Sequence, residues 1–246
     1  MMARISLVRH LFVSDLHLDA SAPATIEAFL RFLEGEARGA TSLHILGDLF
    51  ETWIGDDDPD PARDRVCRAL RALSDSGVAL YVMQGNRDFL YGEAFERRIG
   101  GTLVSDPSVV TLFGERVLLT HGDLLCTGDA AYQELRTTVR DPGFRDRVLK
   151  LPIDARQMLA NAARAGSKAH TRATAATIMD VTPSAVIAAF EASGTRKMIH
   201  GHTHRPAEHH HATRDGDAER VVLAAWDEAG EFLEVTADGW GRRKVN

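Results

Sequence analysis

Thiols, aromatic rings and long apolar runs are all scarce in this chain of 246 residues. The two cysteines, Cys67 and Cys126, form no Cys-x-x-Cys pair, so no disulfide framework is expected and a reducing compartment fits. Aromatic residues make up 7% and the formal net charge is -6. A nucleic-acid groove needs basic charge interleaved with stacking rings, so a nucleic-acid partner is not expected. No stretch approaches the ~20 apolar residues of a membrane-spanning helix, and Arg4, Arg9 and His10 interrupt the N-terminal segment. The expectation is a cytosolic chain that keeps Asp15 and His17, residues a leader cleavage would endanger.

Hydrophobic residues at 44% and charged residues at 26% suffice for one substantial core. A single domain with an insertion is expected. Apolar runs at 11–14, 43–46 and 80–84 alternate with helical stretches at 24–38 and 61–74, a βαβαβ pattern. Further strands are expected at 108–112, 117–120, 197–200, 220–225 and 232–235, where apolar and β-branched residues cluster between turn signals. From 129 to 193 the composition turns to Ala, Arg, Lys and Gln, which favours helices. Asp141-Pro142-Gly143 and Leu151-Pro152 break that stretch, and Thr182-Pro183 starts a last helix over 184–193.

Five apolar runs each end in a short junction bearing metal-competent side chains. They are Asp15-Leu16-His17, Gly47-Asp48, Gly85-Asn86-Arg87-Asp88, His121-Gly122-Asp123 and Gly201-His202-Thr203-His204. Ligands of open α/β sheets gather beyond the carboxyl ends of strands, so these junctions can converge. A close pair of divalent ions needs one bridging carboxylate and several terminal ligands. Asp48 is the expected bridge, with Asp15, His17 and His204 completing one ion and Asn86, His121 and His202 the other, and a hydroxide shared between them. Oxygen and imidazole donors without thiolate suit Mn, Fe, Co or Zn. Any one of these motifs alone is more often a turn or a helix cap. The ordered series resembles the calcineurin-like metallophosphoesterases, which implies an α/β (α+β) fold with a two-sheet β-sandwich core flanked by helices.

Arg87 stands where most of those enzymes carry a histidine able to protonate a leaving alkoxide. A guanidinium does not titrate near neutrality, but it can bind phosphate oxygens as a planar charged fork. Proton donation matters most for basic leaving groups. The expected substrate is therefore a phosphoanhydride, whose phosphate departs as an anion.

The strings Gly47-Asp48-Leu49-Phe50-Glu51, Trp53-Ile54-Gly55-Asp56-Asp57, Gly85-Asn86-Arg87-Asp88-Phe89, Asp129 with Tyr132, and His200-Gly201-His202-Thr203-His204-Arg205-Pro206 closely resemble the UDP-2,3-diacylglucosamine diphosphatases of lipid A synthesis. The resemblance covers nearly the whole chain. It implies two Mn2+ ions and attack of the bridging hydroxide on the α-phosphorus of UDP-2,3-diacylglucosamine, giving UMP and 2,3-diacylglucosamine 1-phosphate. Catalytic roles then fall to Asp48, Asn86, Arg87, His121 and His202. Substrate contacts are implied for Asn86, Arg87, Asp129 and His202, and for Arg164 and Ser167 in a helical cap spanning about 127–182. Thr171 and Thr174 occupy positions where the family usually carries an asparagine and a lysine, leaving Lys168 or Arg172 to supply the missing charge.

Residues 144–173 hold seven lysines and arginines against Asp146 and Asp154. Such charge beside Phe144, Val148, Leu149, Ile153, Met158 and Leu159 suits peripheral contact with the cytoplasmic face of an inner membrane. Ordinary helices with apolar faces turned inward and solvated charges outside are the alternative. Other fold relatives, among them protein phosphatases, dinucleotide polyphosphatases and nucleases, are disfavoured by Arg87 and the cap. A non-catalytic scaffold is disfavoured because every proposed ligand is present. His10, His44 and His170 stand apart from the motifs and are expected to be structural or exposed, His200 to lie in the core or just behind the ligands, and His209 to His211 to lie in a solvated loop. Asp56, Asp57 and Asp58 receive no role from their spacing, and Cys126 is expected to be a small buried residue.

Overall fold

The computed structural model describes residues 8–173, 178–226 and 230–245, with the side chains at 168, 171 and 173 left aside. The chain opens with β1 (His10–Val13), α1 (Pro23–Glu34), β2 (Ser42–Leu46), α2 (Pro61–Asp75), β3 (Ala79–Met83), α3 (Glu93–Ile99) and β4 (Thr102–Val104). It continues through β5 (Ser108–Leu112) and β6 (Glu115–Leu119) into α4 (Ala130–Arg140), α5 (Pro142–Leu149), α6 (Ile153–Ala173) and α7 (Pro183–Ser193). The last part holds β7 (Lys197–His200), β8 (Ala207–Thr213), β9 (Gly216–Val222), β10 (Glu231–Thr236) and β11 (Gly239–Lys244).

The strands form a six-stranded sheet in the order β11-β10-β1-β2-β3-β4 and a five-stranded sheet in the order β5-β6-β7-β9-β8. β1 to β4 run parallel, as do β6, β7 and β9, while the outer strands join antiparallel. Strands covered on both faces have no solvent side to keep polar, which explains the apolar run Leu11–Val13 of β1 and the burial of every residue of β2. Phe12, Leu46 and Met83 of the first sheet meet Val117, Leu119, Ile199 and Val221 of the second in one core layer. The first sheet's other face packs on α1, α2 and α3, and α7 covers the second sheet with Val186 and Phe190.

Local chemistry sets several helix starts. Asp60 accepts from the Arg63 amide before Pro61 opens α2, and Asp129 and Asp141 cap α4 and α5 in the same way. Such caps satisfy amides that the first helical turn leaves unpaired. The expected strands and helices are present among the described residues. Added to them are α3, β4, β8 and β11, which carry weak sequence signals because they are short, polar or glycine-bearing. His209 to His211 correct the reading of a solvated loop: they lie in β8, paired with β9 and alternating between half-buried and exposed.

Candidate metal centre

The crossovers decide where the five junctions go. β1, β2 and β3 run parallel, and so do β6 and β7, so their carboxyl ends meet at one edge of the sandwich. Asp15, His17, Asp48, His202 and His204 all adopt positive φ, between 49° and 67°. Phe113 is the one other non-glycine residue to do so among the described residues. Left-handed backbone is costly for residues with a Cβ, and its concentration here marks a site the surrounding structure holds under strain. Two glycines are dictated by space. A Cβ on Gly85 would strike Asp48, and one on Gly201 would strike Ser14 and Asp15.

Asp48 sits at the centre, 2% exposed. Its Oδ2 lies 3.8 Å from His17 Nε2 and its Oδ1 lies 3.9 Å from His121 Nε2. On one side, His204 Nε2 is 3.3 Å from His17 Nε2 and 3.4 Å from Asp15 Oδ1. On the other, Asn86 Oδ1 is 2.9 Å from His121 Nε2 and 3.1 Å from His202 Nδ1. Donor atoms of Asp15, His17 and His204 fall within 4.8 Å of one another, as do those of Asp15, Asp48 and His121. Asp15 Oδ1 is buried without a hydrogen-bond donor, a group that costs free energy unless a cation or donor reaches it. The residues therefore fit a pair of divalent cations.

Electrostatics agree with that donor set. Burial alone would depress His121, but Asp48, Asp123 and Asp15 outweigh it and lift the imidazole to about 9. Burial pushes His202 down to about 4, and the neighbouring His121 charge adds to the shift. Asp15 resists its burial: the close approach of His204 and the charge of His121 hold it well below the usual carboxylate range. The Nδ1 of His121 lies 2.9 Å from the Leu46 carbonyl. Donation there leaves Nε2 free to face the site.

Behind these side chains stands a frame that spacing did not identify. Asp88 accepts from the amides of Gly85 and Leu49 at 2.7 Å and from the Tyr91 hydroxyl at 2.6 Å, tying the β2 and β3 junctions together. Burial, followed by the Asp48 charge, pushes its carboxyl up to about 6. His200 is buried, its Nδ1 2.8 Å from the Gly201 carbonyl and its Nε2 2.9 Å from Arg220 Nη1. Burial and the Arg220 charge lower it to about 3. Glu51 Oε2 approaches His17 Nδ1 to 2.9 Å as a close charge contact, out of line for a hydrogen bond. Cys126 is buried, and burial pushes its thiol up to about 12.

Helices α4 to α6 lie between β6 and β7 in the chain, an insert in the strand order whose Ser167 and Arg164 meet Arg87 and Glu51. Arg87 donates its amide to Asp48 Oδ1 at 2.8 Å and its guanidinium to Ser167 Oγ of α6 at 3.4 Å. Arg164 Nη2 stands 2.9 Å from Glu51 Oε1. Tyr132 of α4 places its ring 5.7 Å from that of His202 and its hydroxyl 2.8 Å from Asp123 Oδ2. His170 is partly exposed and has its Nε2 2.6 Å from Asp129 Oδ2. Asp56 to Asp58 also acquire partners, with Asp56 accepting from the Gly92 and Phe95 amides, Asp57 held by Arg156 and Asp58 by Arg63. The side chain of Thr171 and all of Thr174 lie outside the described residues, as does the side chain of Lys168.

Residues 8–206 match the calcineurin-like phosphoesterase family. A protein of Stenotrophomonas maltophilia strain K279a named UDP-2,3-diacylglucosamine hydrolase is 51% identical over 237 residues, spanning 94% of this chain and 96% of that one. The protein of the same name from Escherichia coli O6:H1 strain CFT073 is 50% identical over 228 residues, spanning 93% and 95%. At this identity and coverage the chain belongs to the calcineurin-like phosphoesterases and, within them, to the UDP-2,3-diacylglucosamine hydrolase family.

Proposed function

We propose that this protein hydrolyses the pyrophosphate bond of UDP-2,3-diacylglucosamine at its α-phosphorus, releasing UMP and 2,3-diacylglucosamine 1-phosphate. The observation that carries the reading is Arg87. Its backbone amide is fixed on Asp48 and its guanidinium reaches Ser167, so a phosphate-binding fork stands in the motif where a titrating imidazole would serve an alkoxide leaving group. A sugar 1-phosphate needs no such acid.

Asp15, His17 and His204 would hold one divalent ion and Asn86, His121 and His202 the other, with Asp48 between them; Mn2+ is the proposed metal. When bound, such a pair supplies a hydroxide nucleophile at neutral pH and offsets phosphate charge. Arg87 binds the pyrophosphate oxygens, and Arg164 and Ser167 meet the same substrate from the insert, which acts as a cap. Asp129, with Thr171 and Thr174, is proposed to contact the rest of it. Asn86 and His202 serve both metal and substrate.

Leu149, Leu151, Met158 and Leu159 are exposed on the insert, Met158 to 72%. With the surrounding arginines they support peripheral contact with the cytoplasmic face of the inner membrane, where an acylated substrate resides. Three of the seven basic residues are engaged elsewhere: Arg156 is buried against Asp57, Arg145 donates to the Tyr91 carbonyl and Arg164 pairs with Glu51. No described helix is long and apolar enough to cross a membrane.

The test is UMP release with Mn2+ from UDP-2,3-diacylglucosamine and from UDP-glucose, by the wild type and by Asp48→Ala. The acylated compound is expected to be turned over and the variant to lose about a hundred- to a thousandfold in kcat, the scale of a lost electrostatic anchor. Equal turnover of UDP-glucose would remove the lipid assignment, and an active Asp48→Ala would remove the metal assignment.

A further inference from the structure

One side chain touches both halves of the site and has no part in the roles proposed above. Glu51 follows the Asp48 junction, and its backbone is fixed before its side chain is considered. Its amide donates to the Leu18 carbonyl at 3.2 Å, and Leu18 bridges Phe50 in parallel fashion. The segment after β2 is thereby held against the segment that carries His17. The side chain is only 15% exposed. Its Oε2 lies 2.9 Å from His17 Nδ1, and its Oε1 lies 2.9 Å from Arg164 Nη2 on α6. The His17 ring has its other nitrogen, Nε2, toward His204 and Asp48.

We propose that Glu51 is a positioning residue that sets His17 for the metal with one oxygen and holds the cap residue Arg164 beside the substrate phosphates with the other. The inference rests on the metal and substrate roles proposed above and assigns a role to a residue they leave out. Its physical basis is division of labour within one carboxylate. A carboxylate facing Nδ1 favours the tautomer with the proton there, which leaves Nε2 as the donor to a cation and raises its basicity. The second oxygen takes a guanidinium that would otherwise sample many rotamers in water, so Arg164 enters the site with part of its ordering cost already met. A lone Arg164 would also add uncompensated positive charge next to Arg87.

Two substitutions separate the halves. E51Q keeps the shape and a polar oxygen facing His17 Nδ1, though without the charge, and turns an NH2 group toward Arg164. E51A removes both contacts. Mn2+ binding is read on the protein without substrate, from the electron paramagnetic resonance signal of unbound ion, and KM and kcat are read with UDP-2,3-diacylglucosamine. E51A is expected to weaken Mn2+ binding about 10- to 100-fold, the usual cost of losing a group that orients a metal-bound histidine. E51Q should lose less Mn2+ affinity than E51A yet raise KM as much as Arg164→Ala does. KM of the Arg164→Ala, E51A double variant should be no higher than that of the worse single variant, since both remove one interaction. A purely structural role would lower melting temperature without this split. Unchanged Mn2+ binding in E51A, or KM effects of E51A and Arg164→Ala that multiply, would overturn the proposal. His17→Ala isolates the underlying reading: if that variant still binds two ions with wild-type affinity, the ligand assignment itself fails and the role of Glu51 goes with it.

Discussion

His121 is the residue whose environment makes the sharpest solution prediction. Its imidazole is lifted from the ordinary 6.5 to about 9 by the carboxylates of Asp48, Asp123, Asp15 and Asp106, which overcome its burial. A histidine whose pKa is raised by folding stabilises the fold fully below the unfolded value and loses that contribution as pH rises through the folded value. Chelator-stripped protein is therefore expected to lose melting temperature between about pH 6.5 and pH 9. Mn2+ binding must displace that proton, so affinity should rise across the same window, with proton release at neutral pH visible as a binding enthalpy that depends on the buffer. A pH-independent affinity would mean that His121 is not a ligand. At this scale much was legible, because a strand ending in glycine and then Asp, Asn or His is a local pattern. The contacts of Glu51, Asp88 and His170 were not, since each partner arrives from a different part of the chain and no spacing announces it.

The helical insert is an element whose attachment can be tested apart from its chemistry. Arg156, 3% exposed, donates to both oxygens of Asp57 at 2.7 and 2.5 Å, to the Ile54 carbonyl at 2.6 Å and to the Leu151 carbonyl at 3.0 Å. Arg140 adds bonds to the Gln84 and Gly85 carbonyls at 3.1 and 3.0 Å, fastening α4 to the junction that carries Asn86 and Arg87. Arg156→Ala leaves two carbonyls unsatisfied and is expected to cost about 1–3 kcal/mol. Because Arg156 binds the insert to the sandwich, limited proteolysis should then cut first between α5 and α6 while the sandwich core stays intact. Uniform resistance to cleavage would show that the insert is held by its other contacts alone. Composition announced the helices of this element, and Asp141 and Pro152 their breaks. It could not say that Arg156 turns inward, because a guanidinium is buried only when carbonyls and a carboxylate from elsewhere meet it. The same limit hid β8, whose three histidines pass for a solvated loop until β9 supplies a hydrogen-bonding edge.

Across the whole molecule the two sheets depend on one shared apolar layer. Leu233 of β10 is 2% exposed within it, on a strand that carries no site residue. Leu233→Ala is expected to cost about 2–5 kcal/mol through lost contacts and a cavity. The melting temperature should fall while KM of the surviving folded protein stays within about twofold of wild type, as expected for sites that share no partners. A changed KM would show that the inter-sheet packing sets the geometry of the centre. The amino-acid sequence by itself determined the alternation of strands and helices and the chemical nature of the centre, because hydrophobic period, helix capping and the strand-to-glycine junction act over a few residues. Only the tertiary structure decided that Asp48 lies between His17 and His121, that the insert reaches the site through Arg87, Arg140 and Arg164, and that Glu51 touches both. Those outcomes come from parallel strand pairing and the sandwich of two sheets, which bring distant segments within a few ångströms for reasons no single segment contains.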